Sequence, residues 1–169
     1  MLSQENEMPQ VPSSSGLGSD VPASERDQIV DALYRFGAAQ DLDDEGLLEA
    51  TFTADATLDF VQPAKRFGAT LDVFRGRKQI VEIVMTSTAE IDTTHTMTNP
   101  RITAYDGERA TVWALVEAQH LPHGDHSRHL LLKNFYDLAM QKVEGRWLIK
   151  DMVITNVWFA GAPEVLFKP

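Results

Sequence analysis

Asp41 and His95 are the two residues whose types and positions best fit proton-transfer chemistry. A neutral imidazole takes a carbon-bound or hydroxyl proton when a carboxylate accepts its other N–H and stabilises the imidazolium that forms. Asp41 lies seven residues after Tyr34, two turns of a predicted helix, so we expect both side chains to point inward from one side. Residue type alone leaves two alternatives: Asp41 caps the following helix, and His95 is an ordinary buried histidine.

Further polar candidates lie on two predicted strands. On the first strand, the side chains alternate so that His120 shares a face with small apolar residues, namely Val112, Ala114, Val116 and Ala118. We expect this face to line a pocket, with His120 at its rim as a possible acid for a departing hydroxyl. The next strand directs Asn134 and Tyr136 inward, and Tyr34 and Tyr136 could bind a substrate carbonyl or enolate. The alternative for both tyrosines is ordinary packing.

A histidine cluster at the end of the first of these strands invites a metal interpretation. His120, His123, His126 and His129 recur at intervals of three, with Asp125 among them. A strand repeats every two residues, so four ligands with a period of three do not converge on one ion. We therefore predict no intrinsic metal site.

The composition limits the classes of partner. The 169 residues are 43% hydrophobic, which suits one domain with a sizeable core. A net charge of −10 repels phosphate backbones and anionic membranes, so we expect no nucleic-acid and no membrane partner. The chain contains no cysteine, which excludes thiolate metal sites and cysteine nucleophiles. With no signal-like apolar stretch, we expect a soluble, cytoplasmic protein.

The first half of the chain is predicted to be helical after a polar start. Residues 1–23 are rich in Ser, Pro, Gly and Gln and are expected to form a flexible tail. Ser24 with Asp27 has the form of a capping box, which opens a helix that ends near Gln40. A second helix is predicted to begin near Asp43 or Asp44, and a short strand follows at 56–60. Residues 61–75 are expected to be irregular. A third helix is predicted to follow Gly76 and to end before Asp92.

The second half has the texture of a β-meander. From Thr93 onward, β-branched and aromatic residues are interrupted by turn signals at Asp106-Gly107, at 121–127 and at Glu144-Gly145, which predicts four long antiparallel strands. Helices followed by a meander give an α+β fold in which a curved sheet wraps around the helices and leaves a cavity. The order does not fit a βαβ nucleotide fold, and no glycine-rich phosphate loop is present.

Several segments taken in order resemble the SnoaL-like branch of the NTF2-like superfamily, including scytalone dehydratase, bile acid 7α-dehydratase and hexachlorocyclohexane dehydrochlorinase. They are Tyr34, Asp41, ADATLDF at 54–60, FRGRKQIVEIV at 74–84, THTMTNPRI at 94–102, EGRWLIKDM at 144–152 and Trp158. The resemblance implies an NTF2-like cone, with three N-terminal helices packed on a strongly curved, mostly antiparallel sheet around a pocket. It also implies an Asp/His pair at Asp41 and His95, and substrate contacts that include Phe60, Val116 and Trp158.

The chain also departs from these relatives. An arginine that follows the last sheet strand in the bile acid enzyme has no clear counterpart, and the pocket arginine of the dehydrochlorinase falls where this chain has Met140, Gln141 and Lys142. Stabilisation of a leaving group by arginine is therefore not expected. The Asp-Arg-Asp arrangement of limonene epoxide hydrolase cannot be assembled either, which argues against that reaction.

We predict a flexible tail at 1–23, one SnoaL-like domain at 24–160 and a C-terminal tail at 161–169. The expected function is that of a lyase or isomerase without a cofactor, acting on a small apolar oxygenated ring compound such as a polyketide, steroid or terpenoid intermediate. The expected assembly is a homo-oligomer, a dimer or trimer. The alternative is a non-catalytic ligand-binding or assembly subunit, like the small subunit of ring-hydroxylating dioxygenases.

Overall fold

The computed structural model describes residues 21–166, so the predicted N-terminal tail lies almost wholly outside the described residues. Helices and strands follow in the predicted order, with two additional short elements between 61 and 75. The elements are α1 (Ala23–Asp41), α2 (Glu45–Glu49), β1 (Phe52–Asp59), α3 (Val61–Arg66), β2 (Phe74–Arg75), α4 (Arg77–Thr88), β3 (Ile91–Tyr105), β4 (Arg109–Pro122), β5 (Leu130–Val143), β6 (Arg146–Gly161) and a 3₁₀ turn (Pro163–Val165).

All six strands form one sheet in the order β2-β1-β6-β5-β4-β3. The strands β3 to β6 form the predicted antiparallel meander, while β1 runs parallel to β6. Alternation along β4 and β5 buries the two faces predicted to point inward. The architecture is therefore the expected α+β fold, with helices packed on a mostly antiparallel sheet.

Helix α1 packs on the sheet through a stripe that includes Ile29, Leu33 and Phe36, as the spacing predicts. The predicted capping box at its start is wrong. Pro22 is the N-cap, no side chain caps the helix, and Ser24 already lies inside it. The carbonyl of Pro22 instead accepts the amide N–H groups of the first turn, so the sequence pattern that predicts a cap lies two residues too late.

Two polar contacts fix α1 relative to the sheet. The guanidinium of Arg35 donates to the carbonyl oxygens of Ala50 and Trp147, at 3.1 and 2.8 Å. The carboxylate of Glu25 accepts the indole N–H of Trp147 at 2.6 Å and pairs with Lys142 at 2.8 Å. These contacts hold α1 against the end of α2 and against β5 and β6.

The segment from 61 to 75 is more ordered than the sequence indicates. The prediction of an irregular segment is wrong for Val61–Arg66, which forms α3. A side-chain oxygen of Asp59 accepts the N–H of Val61 at 2.9 Å, and Gly68 has a φ of +81° just beyond the helix end. Both are ordinary helix-boundary signals that the local pattern contains. The helix matters because its flanks contribute to a cavity.

The C-terminal segment is described as far as Leu166, and this part packs on the domain. Val165 in the 3₁₀ turn is buried against the apolar side chains of Ile91 and Leu130. Leu166 reaches the cavity. In the part of the chain that the structure describes, no helix is long and apolar enough to cross a membrane.

Candidate active site

A cavity of about 290 Å³ lies between the inner face of the sheet and the helices. Its wall is mainly aliphatic and aromatic, with a few polar side chains that converge on the interior. The lining includes His95, His120, Asn134, Tyr136, Phe60, Phe36, Leu58, Phe74, Leu132, Ile154, Gln40 and Thr88. A concave, mainly apolar volume with few polar groups is typical of a small-molecule site.

The structure brings Asp41 and His95 into direct contact at the wall of this cavity. Asp41 is the last residue of α1, and His95 lies near the start of β3. The carboxylate Oδ1 of Asp41 lies 2.6 Å from the ring Nδ1 of His95, and Oδ2 accepts the backbone N–H of His95 at 2.8 Å. The hydroxyl of Thr93 donates to Oδ1 at 2.9 Å. Because a carboxylate only accepts, Nδ1 carries the hydrogen in the neutral ring, which leaves Nε2 as the acceptor nitrogen of a side chain that lines the cavity.

The surroundings of Asp41 keep its carboxylate ionised. Only 3% of the His95 side chain is exposed, against 24% of the Asp41 side chain. Burial raises the pKa of Asp41, but the hydrogen bond and charge of His95, with the hydroxyl of Thr93, outweigh it, so the net pKa lies below its ordinary value. Asp41 is therefore ionised at neutral pH. The alternative that Asp41 caps α2 is wrong, because the side chain of Asp44 accepts the N–H of Leu47 there, at 2.8 Å.

Gly37 is a further positioning residue that the sequence analysis missed. It lies inside α1, one turn before the helix ends at Asp41, where a glycine costs helix stability. A Cβ atom at this position would lie 2.8 Å from Cβ of His95 and 2.7 Å from Cε of Met97. Only glycine lets the helix approach β3 this closely. An isolated glycine inside an otherwise helical pattern is the signal that could have identified it.

His120 lines the same cavity from β4, but it is buried rather than at a rim. Its ring centroid is 6.1 Å from that of His95, with the rings at 83°. Burial lowers its pKa to about 4, and the charge of His95 adds to this effect. Its Nδ1 lies 3.2 Å from the carbonyl oxygen of Leu130. The predicted position at the rim is therefore wrong, while the role of an acid stays a prediction that the lowered pKa does not favour.

Asn134 and Tyr136 face the cavity from β5 as predicted, and both are buried. Asn156 on β6 donates from its amide nitrogen to the side-chain oxygen of Asn134 at 2.9 Å. Burial raises the pKa of Tyr136, while a hydrogen bond from the Asn134 side chain acts in the opposite direction. Both side chains are therefore polar groups of the cavity wall, and the phenol of Tyr136 is protonated at neutral pH.

Tyr34 does not reach the cavity, so its predicted inward position is wrong. Tyr34 is 46% exposed and is absent from the cavity wall. It does share a flank of α1 with Asp41, but this flank follows the boundary between core and solvent. Asp41 lies at the helix end, where β3 comes alongside, whereas Tyr34 lies two turns earlier and faces outward.

Trp158 also points outward, and the reason is a bulge in β6. Lys133 pairs with Trp158 while Asn134 pairs with Asn156, so Val157 is an extra residue on β6. One extra residue exchanges the two faces of a strand. Trp158 is consequently 46% exposed, and its predicted contact with substrate is wrong.

The other two predicted contacts have different outcomes. Phe60, at the start of α3, lines the cavity. Val116 is fully buried but belongs to the main core cluster, and the cavity begins two residues further along β4, at Ala118 and His120. The prediction that Val116 lines the pocket is therefore wrong, because alternation identifies the inner face but not where packing gives way to the cavity.

The remaining histidines of the cluster diverge from His120. His123 and His126 lie at the surface, with Nε2 atoms 3.4 and 2.8 Å from the carboxylate of Asp92. His129 is exposed. Among residues 21–166, no group of three or more His, Asp or Glu side chains is arranged to hold a metal ion.

Sequence comparisons place the chain in a known family. A model described as a SnoaL-like domain matches residues 22–153. The chain belongs to the SnoaL-like family. A relative in Penicillium crustosum, "Terrestric acid biosynthesis cluster protein E", is 31% identical over 144 residues, which are 82% of this chain and 86% of that protein.

Solved structures share the fold of this SnoaL-like protein. A candidate aromatic ring hydroxylase from Novosphingobium aromaticivorans has a TM-score of 0.75 at 21% identity, and the match covers 86% of this chain and 99% of that one. A candidate scytalone dehydratase from the same species has a TM-score of 0.70 at 18% identity, covering 81% and 87%. Hexachlorocyclohexane dehydrochlorinase type 3 from Novosphingobium barchaimii has a TM-score of 0.68 at 17% identity, covering 86% and 95%.

Proposed function

We propose that the protein is a lyase that works without a cofactor and eliminates water from a small, uncharged, cyclic β-hydroxy carbonyl compound. The observation that carries this proposal is the contact between the Asp41 carboxylate and Nδ1 of His95, which leaves Nε2 of His95 as a base in the wall of an apolar cavity. A polyketide, steroid or terpenoid intermediate is the kind of molecule that such a wall accommodates.

The polar groups suit each stage of such an elimination. Nε2 of His95 takes a proton from the carbon next to the carbonyl, and Asp41 stabilises the imidazolium that forms. The phenol of Tyr136 donates to the carbonyl oxygen, on which negative charge develops. The imidazolium of His95 then returns the proton to the β-hydroxyl as the carbon–oxygen bond breaks. Water and an unsaturated carbonyl compound leave, and the Asp41/His95 pair returns to its starting state.

The charges around the cavity favour an uncharged substrate. Its lining contains no lysine or arginine among the described residues, and the carboxylate of Asp41 stands behind His95. A carboxylate or phosphate group would therefore be desolvated without a cationic partner, which is costly. This agrees with the absence of the pocket arginine found in the dehydrochlorinase.

The relatives supply independent support. One belongs by its name to a biosynthetic cluster for terrestric acid, and two neighbours in structure are named for the elimination of water or hydrogen chloride. Elimination by proton abstraction requires the base that the Asp41/His95 pair provides. The structural neighbours are below 25% identity and support the fold, so the reaction itself is our proposal.

The racemic bicyclic compound 3-hydroxy-1-tetralone is a suitable first probe. Loss of one water molecule converts it to 1-naphthol, which is followed by absorbance against the uncatalysed rate. We expect wild-type protein to accelerate the reaction and His95→Ala to remove that acceleration. Exchange of the proton next to the carbonyl in ²H₂O without loss of water would instead indicate an isomerase.

The alternative function is a ligand-binding or assembly subunit. It predicts that the cavity binds bicyclic compounds with equal affinity in wild-type protein and His95→Ala, and that neither protein accelerates exchange or elimination across a panel of cyclic β-hydroxy ketones. Absence of turnover together with stable co-purification of a partner oxygenase subunit would replace our proposal with this one.

A further inference from the structure

Asn156 is a buried amide side chain at the bulge of β6, next to the cavity wall. It pairs across the sheet with Asn134, which is also buried and lines the cavity. The side-chain nitrogen of Asn156 donates to the side-chain oxygen of Asn134 at 2.9 Å. The same nitrogen lies 3.0 Å from the carbonyl oxygen of Trp158 and 3.3 Å from that of Lys133. Three oxygen atoms therefore surround one NH₂ group.

The two backbone carbonyls determine which end of the Asn156 amide is the nitrogen. A carbonyl oxygen only accepts, so the atom that faces Trp158 and Lys133 must be a donor. Turning the amide over would put its oxygen against both carbonyl oxygens. It would also move the NH₂ group to the buried position where, among the residues that the structure describes, the Asn156 oxygen has no partner. A buried donor without a partner is costly, so the main chain fixes the orientation of Asn156.

The fixed amide of Asn156 in turn fixes that of Asn134. Because the NH₂ group of Asn156 donates, the atom of Asn134 that faces it must be the oxygen. The opposite orientation of Asn134 would set two NH₂ groups against each other. The oxygen of Asn134 is thus held at the bulge, and its NH₂ group is the other end of a side chain that lines the cavity.

We propose that Asn156 is a positioning residue, which keeps the Asn134 amide in this orientation and so makes Asn134 a hydrogen-bond donor to a ligand in the cavity. The proposal rests on the proposed function only for the identity of the atom that receives this bond, the carbonyl oxygen of the substrate. Asn134 and Tyr136 lie two residues apart on the buried face of β5. Two donors on that oxygen would stabilise its developing negative charge better than one.

Helix α3 holds the main chain of Asn156 independently of its amide. The side-chain oxygen of Gln62 accepts the backbone N–H of Asn156 at 2.9 Å, and the Gln62 nitrogen donates to the Asn156 carbonyl at 3.3 Å. The guanidinium of Arg66 donates to the carbonyls of Asn156 and Val157, at 2.9 and 2.8 Å. Because these bonds reach only the backbone, a variant of Gln62 can loosen the bulge without removing the donor to Asn134.

The first test is a binding experiment with two probes that do not undergo elimination. 1-Tetralone and its hydrocarbon analogue, in which a CH₂ group replaces the carbonyl oxygen, differ only in the acceptor, and their affinities are measured by NMR titration. We expect wild-type protein to prefer 1-tetralone by about fivefold or more, the typical effect of one hydrogen bond. The result is independent of the proposed reaction.

Three variants separate orientation from structure. Leucine has the shape of asparagine without its polar atoms, so Asn134→Leu removes the donor itself. Asn156→Leu leaves the donor but frees it to turn toward the vacated carbonyls of Lys133 and Trp158. We expect each to lower the preference for 1-tetralone by about threefold or more, and Gln62→Met to keep it within about twofold of wild type. An unchanged preference in Asn156→Leu, or an equal loss in Gln62→Met, would overturn the proposal.

A second measurement uses the unaltered protein, in case Asn156→Leu does not fold. Side-chain NH₂ groups give separate signals in ¹H–¹⁵N spectra. We expect the Asn134 NH₂ signal to move when 1-tetralone is added and to move much less with the hydrocarbon analogue, while the Asn156 NH₂ signal stays in place. An Asn134 signal that responds equally to both probes would contradict the proposal. Selectivity for the carbonyl without dehydration of 3-hydroxy-1-tetralone would support the role of Asn156 and count against the proposed function alone.

Discussion

The carboxylate of Asp41 holds His95 at two points, its ring Nδ1 and its backbone N–H, at 2.6 and 2.8 Å. The second contact satisfies an N–H on the free edge of β3, since this strand ends the sheet. One side chain therefore fixes both the tautomer of the base and the position of the strand that carries it. This double role explains why a partly exposed carboxylate at a helix end defines a buried site.

The first prediction concerns the Asp41/His95 pair. A general base contributes about 10²- to 10⁴-fold, so His95→Ala should lower kcat for 3-hydroxy-1-tetralone by that factor with a modest change in ligand affinity. Asp41→Asn should also be strongly impaired. The Asp41 carboxylate accepts three hydrogen bonds, from the Thr93 hydroxyl and from the backbone N–H and ring of His95. The asparagine amide has only one oxygen, and its NH₂ group would face one of these donors. The double variant should be little worse than either single variant.

Folding must be measured alongside, because a buried donor without a partner can cost about 1 to 3 kcal/mol. Thr93→Val is the matched control, since it removes one hydrogen bond to Asp41 and leaves both contacts to His95. It should keep most of the activity. Rate losses that multiply in the double variant would show that the two residues do not act as a unit.

The second prediction concerns Gly37. Alanine would improve the intrinsic helix propensity by about 0.5 to 1 kcal/mol, but its Cβ would press on His95 and Met97. Overpacking typically costs about 1 to 3 kcal/mol, so Gly37→Ala should be destabilising overall and should lower kcat more than it changes ligand affinity. Urea unfolding and steady-state kinetics measure the two effects.

Gly46→Ala in α2 is the matched control. A Cβ at Gly46 would approach only a side-chain oxygen of Asp44, at 3.5 Å, which is ordinary contact. This variant should be neutral or slightly stabilising and fully active. If Gly37→Ala behaves like Gly46→Ala, the close approach of α1 to β3 does not determine the position of His95.

The sequence predicts the order of the helices and strands apart from α3 and β2, and together with the family resemblance it predicts the pairing of Asp41 with His95. The helical stripe of α1, the alternation of β4 and β5 and the turn signals are local, and their pattern carries over directly into the fold. The Asp41/His95 pair also depended on the resemblance to the SnoaL-like family, since residue types alone left a helix cap and an ordinary buried histidine as alternatives.

The errors at Tyr34, Trp158 and His120 come from features that no local pattern contains. Tyr34 shares a helix flank with Asp41, but only the tertiary position of β3 determines which of the two is covered. Trp158 would face inward if β6 were regular, and a single extra residue at Val157 reverses its face. The state of His120 depends on a carbonyl from the neighbouring strand, ten residues away in sequence.

The third prediction concerns metal. The period of the histidine cluster does not allow its members to converge, and His123 and His126 pair with Asp92 while His120 faces the cavity. Exhaustive treatment with a chelator should therefore leave the dehydration rate unchanged. The rate is measured before chelation, after it, and after addition of Zn²⁺ or Mg²⁺. Loss of turnover that one particular ion restores would contradict this prediction.

The fourth prediction concerns the pH dependence of stability that arises from His120. Its folded-state pKa is lowered from 6.5 to about 4, mainly by burial and then by the charge of His95. The Leu130 carbonyl, the charge of Asp41 and the Ala118 carbonyl raise the pKa but do not offset this effect. Above pH 6.5 the ring is neutral in both the folded and the unfolded chain. As the pH falls, the unfolded chain binds a proton that the folded chain does not, so the free energy of unfolding should decrease.

The size of this decrease follows from the pKa values. At about 1.4 kcal/mol per pH unit, the loss between pH 6.5 and about 4 approaches about 3 kcal/mol.

Urea unfolding of wild-type protein and His120→Asn at a series of pH values isolates this contribution, because the other groups titrate in both proteins. The pKa of Asp41 lies below its ordinary value of 3.8, so Asp41 stays ionised in both states above about pH 5 and does not obscure the upper part of this range. We expect wild-type protein to lose stability more steeply than the variant below about pH 6.5. Parallel curves for the two proteins would show that His120 accepts a proton in the folded chain as easily as in the unfolded chain, which would contradict the lowered pKa.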